Sequence, residues 1–255
     1  AAGFQARLLA AGAARVRRYD ALISHWLLPS GLAAALCAAG RPHVAIAHSS
    51  DVHLLRRLRL GGLGRWLSRR ARLVYTSASL QLPGAPGVVV PMGVTVSEFA
   101  ATAAQRAAAR RELGLLRPTV LALGRLVPVK GLDCLLAALA PLADVELLIA
   151  GDGPLRPALE QQAAGLGARV RFLGEVRGPA RRRLLQGCDA LALPSRVLAD
   201  GRTESAPVVL LEALAAGLPI VAAAVGGVGE LLGDAGLLVP PDAPAALTWA
   251  LRQVL

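Results

Sequence analysis

Short runs of uncharged Val, Ile, Leu and Ala, closed by Gly, Pro or a polar pair, alternate along this chain with amphipathic helical stretches. The second half shows the pattern most cleanly, at residues 120–123, 145–150, 170–173, 190–193, 220–223 and 237–239, broken only by Glu146 and Arg171. Continuous apolar runs of this length are what a strand buried on both faces requires. In the first half the strands are expected at 20–24, 44–47, 73–76 and 88–90, with helices over 31–39 and 51–70. Strand-helix alternation predicts an α/β chain of parallel sheets covered by helices on both faces. Residues 91–117 break the rhythm with a polar, Ala-rich stretch, so two domains are expected, 1–104 and 105–255. No internal repeat of solenoid length is present.

Composition agrees with that architecture. The chain has 255 residues, 55% hydrophobic but only 3% aromatic, so its cores must be built from Leu, Val and Ala. Long uncharged stretches such as 73–97 and 213–229 are interrupted by Gly and Pro and do not read as membrane spans. No basic-then-apolar leader opens the sequence. Cys37, Cys134 and Cys188 are odd in number and far apart, which predicts reduced thiols, no metal site and a cytoplasmic protein.

The net charge of +11 is uneven: residues 1–115 hold 15 Arg against 4 acids, while 116–255 sum to zero. A cationic half opposite a neutral one points to an anionic partner. The segment 51–72 sets Arg56, Arg57, Arg59, Arg65, Arg69, Arg70 and Arg72 among Leu54, Leu55, Leu58, Leu63, Trp66 and Leu67. A basic amphipathic helix of that kind is suited to an anionic membrane surface, on the inner face of the cell membrane. Nucleic acid is not expected, since no helix-turn-helix or zinc pattern accompanies the charge.

One residue stands out chemically. Lys130 is the only Lys among 28 basic residues, in a chain with no Asn whose composition is drawn toward Arg, Ala and Gly. A position that stays Lys is a candidate for needing a compact ammonium. Gly124-Arg125 follows a strand, and Lys130-Gly131 opens an apolar-periodic helix. A glycine turn, two cations and a helix N-terminus make an anion site. Further along, Glu204 and Glu212 flank Pro207, which suits a first helical turn near Ala206 and Val208. Glu212 sits in an apolar helix and should be largely buried, which demands a partner.

Glu204 to Glu212, followed by Ala-Leu-Ala-Ala-Gly-Leu-Pro-Ile-Val-Ala, resembles the E-x7-E segment of retaining glycosyltransferases of family 4. Gly124-Arg125-x4-Lys130-Gly131, Gly151-Asp152-Gly153-Pro154, the run from Val170 to Gly174, Leu193-Pro194-Ser195 and Gly226-Gly227-x-x-Glu230 resemble the same family in the same order. The first half is similar more loosely, through His25-Trp26-x-x-Pro29-Ser30-Gly31, His48-Ser49-Ser50-Asp51-Val52 and Val89-Val90-Pro91-Met92-Gly93-Val94. The run Asp200-Gly201-Arg202-Thr203-Glu204 is similar to members that build bacterial surface polysaccharides or glycolipids.

The resemblance implies a GT-B fold of two Rossmann-like, doubly wound parallel-sheet domains, the donor binding mainly the second and the acceptor the first. It implies transfer of a hexosyl-type sugar from a UDP- or GDP-sugar to a lipid-linked or saccharide acceptor, with retention and without metal or other cofactor. Arg125 and Lys130 would hold the diphosphate beside Gly151. Glu212 would accept from the ribose hydroxyls, and Val176 would meet the base. Glu204, with Ser205, Ala206 and Val208 behind it, would touch the sugar, and His48 would reach it from the first domain. Two features depart from the family pattern. No Gly-rich loop precedes His25, and no long final helix follows, so the first domain reads as incomplete and the chain as a fragment that need not be active. Ser49 also stands where the family often has Gly. His43 and His53 match no motif and read as surface residues. The alternatives are a sugar-nucleotide epimerase of the same architecture, and a non-catalytic nucleotide- or membrane-binding fragment. A dinucleotide dehydrogenase is disfavoured, because Gly151-Asp152-Gly153-Pro154 is not G-x-G-x-x-G.

Overall fold

Parallel strands need long crossovers, and here most of them are helices. The computed structural model describes residues 2–255 apart from Ser205. By their contacts they form two units, one of Ala1–Met92 with Ala199–Ala206 and one of Gly93–Leu198 with Pro207–Leu255.

The first unit runs α1 (Ala2–Arg15), β1 (Leu22–His25), α2 (Leu32–Cys37), β2 (His43–Ala47), α3 (Ser49–Arg57), α4 (Gly61–Ser68), β3 (Arg72–Tyr75) and β4 (Gly87–Val89). Its strands form one parallel sheet in the order β1-β2-β3-β4. Leu27, Val52, Leu55, Leu67, Leu73, Tyr75 and Leu80 pack into its buried core. Tyr75 brings a polar end into that core and satisfies it by donating from its hydroxyl to the Ala85 carbonyl at 2.8 Å.

The expected helix over 51–70 is two helices. Leu60 N–H donates to the Leu55 carbonyl at 2.9 Å, and Arg59 adopts the left-handed conformation with φ 54°. That is a helix-terminating turn with an Arg at the position usually held by Gly, so the sequence carries no marker of it. Leu55 and Leu67 are fully buried rather than available to a bilayer. His43 is likewise not a surface residue. It is 4% exposed, and its Nε2 is 2.9 Å from Ser24 Oγ.

The second unit runs α5 (Val96–Phe99), α6 (Ala103–Glu112), β5 (Thr119–Leu123), α7 (Leu132–Leu139), β6 (Glu146–Ala150), α8 (Arg156–Ala163), β7 (Val170–Gly174), α9 (Gly178–Gly187), β8 (Ala190–Leu193), α10 (Val208–Ala216), β9 (Ile220–Ala223), α11 (Val228–Leu232), β10 (Leu237–Val239) and α12 (Pro244–Val254). Six parallel strands lie in the order β10-β9-β8-β5-β6-β7. Alternation along β5 feeds two cores. Leu121 and Leu123 join one cluster with Leu191 and Leu210, while Val120 and Ala122 join another with Leu135 and Leu139. The central strands β5, β8 and β9 therefore carry no charge, whereas β6 opens with Glu146 and β7 holds Arg171. Phe99 of α5 packs against the core containing Leu210 and Leu218, so by contacts residues 93–104 group with the second unit.

Candidate functional site

In a doubly wound sheet the ligand side is the carboxyl edge of the strands. Three neighbouring strands of the second unit turn there through glycine, at Gly124 after β5, Gly151 after β6 and Gly174 at the end of β7, with φ of 154°, 144° and 69°. The loops are stitched together by backbone. Gly124 N–H donates to the Ala150 carbonyl at 2.9 Å, Gly151 N–H to the Gly174 carbonyl at 2.7 Å, and Leu126 N–H to the Asp152 carbonyl at 2.9 Å. A Cβ on Gly151 would collide with the Gly124 carbonyl, and one on Gly131 with the Pro194 carbonyl. At Gly131 and Gly151 the approaching backbone leaves no room for a side chain.

Lys130 lies over that edge. Its Nζ is 3.5 Å and its Cε 3.3 Å from where a Gly124 Cβ would stand, so the absence of a side chain at 124 is what admits the ammonium. Gly124, Arg125 and Lys130 line one small cleft with Leu193 and Pro194. Arg125 is exposed and Lys130 half-buried. Beside the cleft, Ser195 is fully buried, and its hydroxyl has no partner among the described residues.

Glu212 lies in the middle of α10, 7% exposed, as expected for a carboxylate in an apolar helix. Its partner is Arg181 of α9. Nε and one terminal nitrogen of the guanidinium both donate to Oε2, the former at 2.8 Å. The pair fixes the carboxylate through one oxygen. Arg181 carried no role in the sequence reading. Its only signal there was a basic run, Arg181-Arg182-Arg183, on a helix otherwise facing the core. Val176, in the loop between β7 and α9, is half-buried against the core that contains Leu210. Pro207 is the N-cap of α10, so Ala206 and Val208 flank its start as expected, and Val208 is exposed. Ser205 lies outside the described residues.

Glu204 falls in the segment 199–206, which packs with the first unit and is half-buried there. Ser49 Oγ donates to the Thr203 carbonyl at 3.3 Å in the same unit. His48 is the N-cap of α3. Asp51 accepts from His48 N–H at 3.0 Å and also from Leu27 N–H, which binds the start of the helix to the end of β1. Burial outweighs these donors and pushes the Asp51 carboxyl up to about 6. His25 Nδ1 is 3.1 Å from His48 Nε2, with ring centroids 5.3 Å apart, and Trp26 flanks His48 at 5.6 Å. Burial first, and His25 second, lower the His48 pKa. One of these two nitrogens donates and the other accepts, so the tautomers of the two histidines are coupled. Among the described residues no group of three or more His, Cys, Asp or Glu could hold a metal ion.

Residues 117–255 match the family model described as glycosyl transferases group 1. TuaC of Bacillus subtilis strain 168, named as a teichuronic acid biosynthesis glycosyltransferase, is 31% identical over 248 residues, covering 92% of this chain and 61% of that protein. A phosphatidyl-myo-inositol mannosyltransferase of Mycolicibacterium smegmatis is 33% identical over 240 residues, covering 89% of this chain and 59% of that one. The chain thus spans about three-fifths of the length of these relatives. Among solved structures, Anabaena Alr3699/HepE in complex with UDP and glucose is similar with a TM-score of 0.80 at 25% identity, over 96% of this chain and 70% of that one.

Proposed function

Because the chain belongs to the group 1 glycosyltransferase family, we propose that it moves a hexosyl-type sugar from a nucleotide-diphosphate sugar to an acceptor hydroxyl, with retention at the anomeric carbon. The observation that carries this reading is Lys130, laid over a side-chain-free Gly124 beside Arg125 at the carboxyl edge of β5. Two fixed cations there neutralise charge on a departing nucleoside diphosphate, which is why the reaction is proposed to need no metal. Glu212 takes the ribose hydroxyls, Val176 and Gly151 border the nucleotide, and Glu204 with Ser205, Ala206 and Val208 meets the sugar. His48 acts on the acceptor side. The complexes of HepE with UDP and with UDP-glucose support a nucleotide-sugar donor here. The relatives named for teichuronic acid and phosphatidylinositol mannosides support a surface-polysaccharide or glycolipid acceptor, reached from the inner face of the membrane. Among the described residues no helix is long and apolar enough to cross a membrane.

The test is calorimetry of the chain with UDP and GDP, with and without EDTA, for the native protein and Lys130→Ala. Loss of one charge-assisted contact worth about 1.5–3 kcal/mol should weaken binding roughly 10- to 150-fold, with no effect of EDTA. Equal affinity of the variant would refute the assignment of Lys130, and binding abolished by EDTA would refute metal independence.

A further inference from the structure

The donor reading leaves one groove of the first unit unused. Ser50, His53, Leu54 and Arg57 share one face of α3 at helical spacing, and Asp200 with Arg202 closes the groove over them, enclosing about 350 Å³. His53 was read from the sequence as a surface residue. Its Nε2 is in fact buried, with no partner among the described residues. Burial and the neighbouring Arg56 push its pKa down, Asp200 pulls it up, and Arg202 pushes it down again, so the net shift favours the neutral ring. A neutral imidazole with a buried, unsatisfied nitrogen is costly unless a ligand atom completes it. Arg202 spends part of its guanidinium on Asp200, with Nε to Oδ2 at 2.7 Å. Asp200 is thereby kept ionised, but one carboxylate against Arg57 and Arg202 still leaves the groove cationic.

Two guanidinium groups and one imidazole around a cavity match an anion with several acceptor oxygens. We propose that this groove binds the phosphoryl group of a glycosyl-phosphate acceptor. The proposal rests on the reading above, in which the first unit serves the acceptor side, and every residue of the groove belongs to that unit. The shared chemistry is a sugar phosphoester, supplied either free in solution or as a lipid-linked sugar diphosphate.

The experiment is titration of the native chain, Arg57→Gln and His53→Gln with glucose, glucose 1-phosphate and UDP. Neutral phosphatidylcholine vesicles carrying a polyprenyl-diphosphate-linked glucose form a further arm. The native chain should prefer glucose 1-phosphate over glucose by at least tenfold. Either variant should cut that preference at least fivefold while UDP affinity stays unchanged. Tighter binding of the lipid-linked form would place the phosphoryl group on a membrane acceptor, and equal binding on a soluble one, both in support. No preference for the phosphate, or a preference intact in both variants, would overturn the proposal. UDP failing to bind while the phosphate preference persists would instead overturn the donor reading and leave the groove standing.

Discussion

The two units solve the same architectural problem with different margins. In the second, the central strands of a six-stranded sheet are buried between two cores, and Gly131, Gly151 and Gly153 at its carboxyl edge lie against backbone. In the first, four strands rest on a single cluster. Its site is built from side chains, and all four histidines of the chain, His25, His43, His48 and His53, lie in that unit. The comparison teaches that the second unit's edge is written into backbone geometry, whereas the first unit's site is written into titratable groups. The edge should tolerate almost no change in shape, and the site almost no change in protonation.

The largest expected effect tests the backbone claim. Gly151→Ala places a Cβ into the Gly124 carbonyl at φ 144°, and should destabilise the second unit by about 3 kcal/mol or more. The first unit's Gly40 also has positive φ, 79°, but a Cβ there meets nothing within 4 Å. Gly40→Ala should cost only the left-handed strain, about 1–2 kcal/mol. Urea unfolding followed for both variants compares them, and equal losses would break the contrast.

The next effect is confined to the first unit and depends on pH. The folded Asp51 pKa of about 6 lies above its ordinary 3.8, so the folded state binds the proton more tightly. That contribution favours folding increasingly as pH falls from 7 toward 4, by at most about 3 kcal/mol. His43, His48 and His53 have folded pKa values below 6.5, so they oppose it, losing stability as pH falls below 6.5. The second unit has no histidine. Acidification from pH 7 to 5 should therefore move the first unit's melting transition and leave the second's in place. Asp51→Asn, which removes the compensating acid, should make the first transition more acid-sensitive than in the native chain. Parallel shifts of both transitions would refute the division.

These contrasts also explain what the sequence could show. The strands β5, β8 and β9 were legible because burial on both faces forbids charge along them. Lys130 and Gly124 were legible because they are six residues apart on one loop. Arg181 and Glu212 are 31 residues apart, and nothing local announces that one guanidinium points at one carboxylate. His53 and Arg202 meet only because the segment 199–206 packs on α3. The break between α3 and α4 was hidden by an Arg occupying a left-handed position. Side-chain pairings distant in sequence, and backbone conformations adopted against preference, are the features a local pattern does not encode.

The Arg181–Glu212 pair is, like Arg125 and Lys130, a side-chain device set on the second unit's backbone edge, and the third prediction addresses it. Arg181→Met leaves a carboxylate that is nine-tenths buried without its cation, and should destabilise the unit by about 2 kcal/mol. Arg181→Lys should recover only part of this, because an ammonium cannot present two donors to one oxygen in the guanidinium's geometry. If the pair orients Glu212 toward ribose, the preference for UDP over 2′-deoxy-UDP should shrink in Arg181→Met. A preference left intact, with stability alone reduced, would make the pair purely structural.

The smallest effect concerns the cationic surface of the first unit. The membrane reading of residues 51–72 loses Leu55 and Leu67 to the core, and Trp66 packs against the same core with Arg70 stacked 4.0 Å over its ring. What remains on the surface is the turn between α3 and α4, where Leu58 is 52% and Leu60 40% exposed among Arg56, Arg57 and Arg59. Arg56 is partly committed to the protein, donating to the Ser79 and Gln81 carbonyls at 2.9 and 3.0 Å. A shallow contact through two leucines and a few cations, each worth about 1 kcal/mol near an anionic surface, gives weak and reversible docking. Co-sedimentation with anionic vesicles should be measurable at low salt and fade as the Debye length shortens from about 10 Å at 0.1 M to 3 Å at 1 M. Neutral vesicles should bind little. Leu58→Ser with Leu60→Ser should reduce binding several-fold without altering either melting transition, since neither side chain supports a core. Binding that ignores lipid charge, or that survives both substitutions, would remove this turn from the account and leave the excess Arg of the first unit as solvated surface.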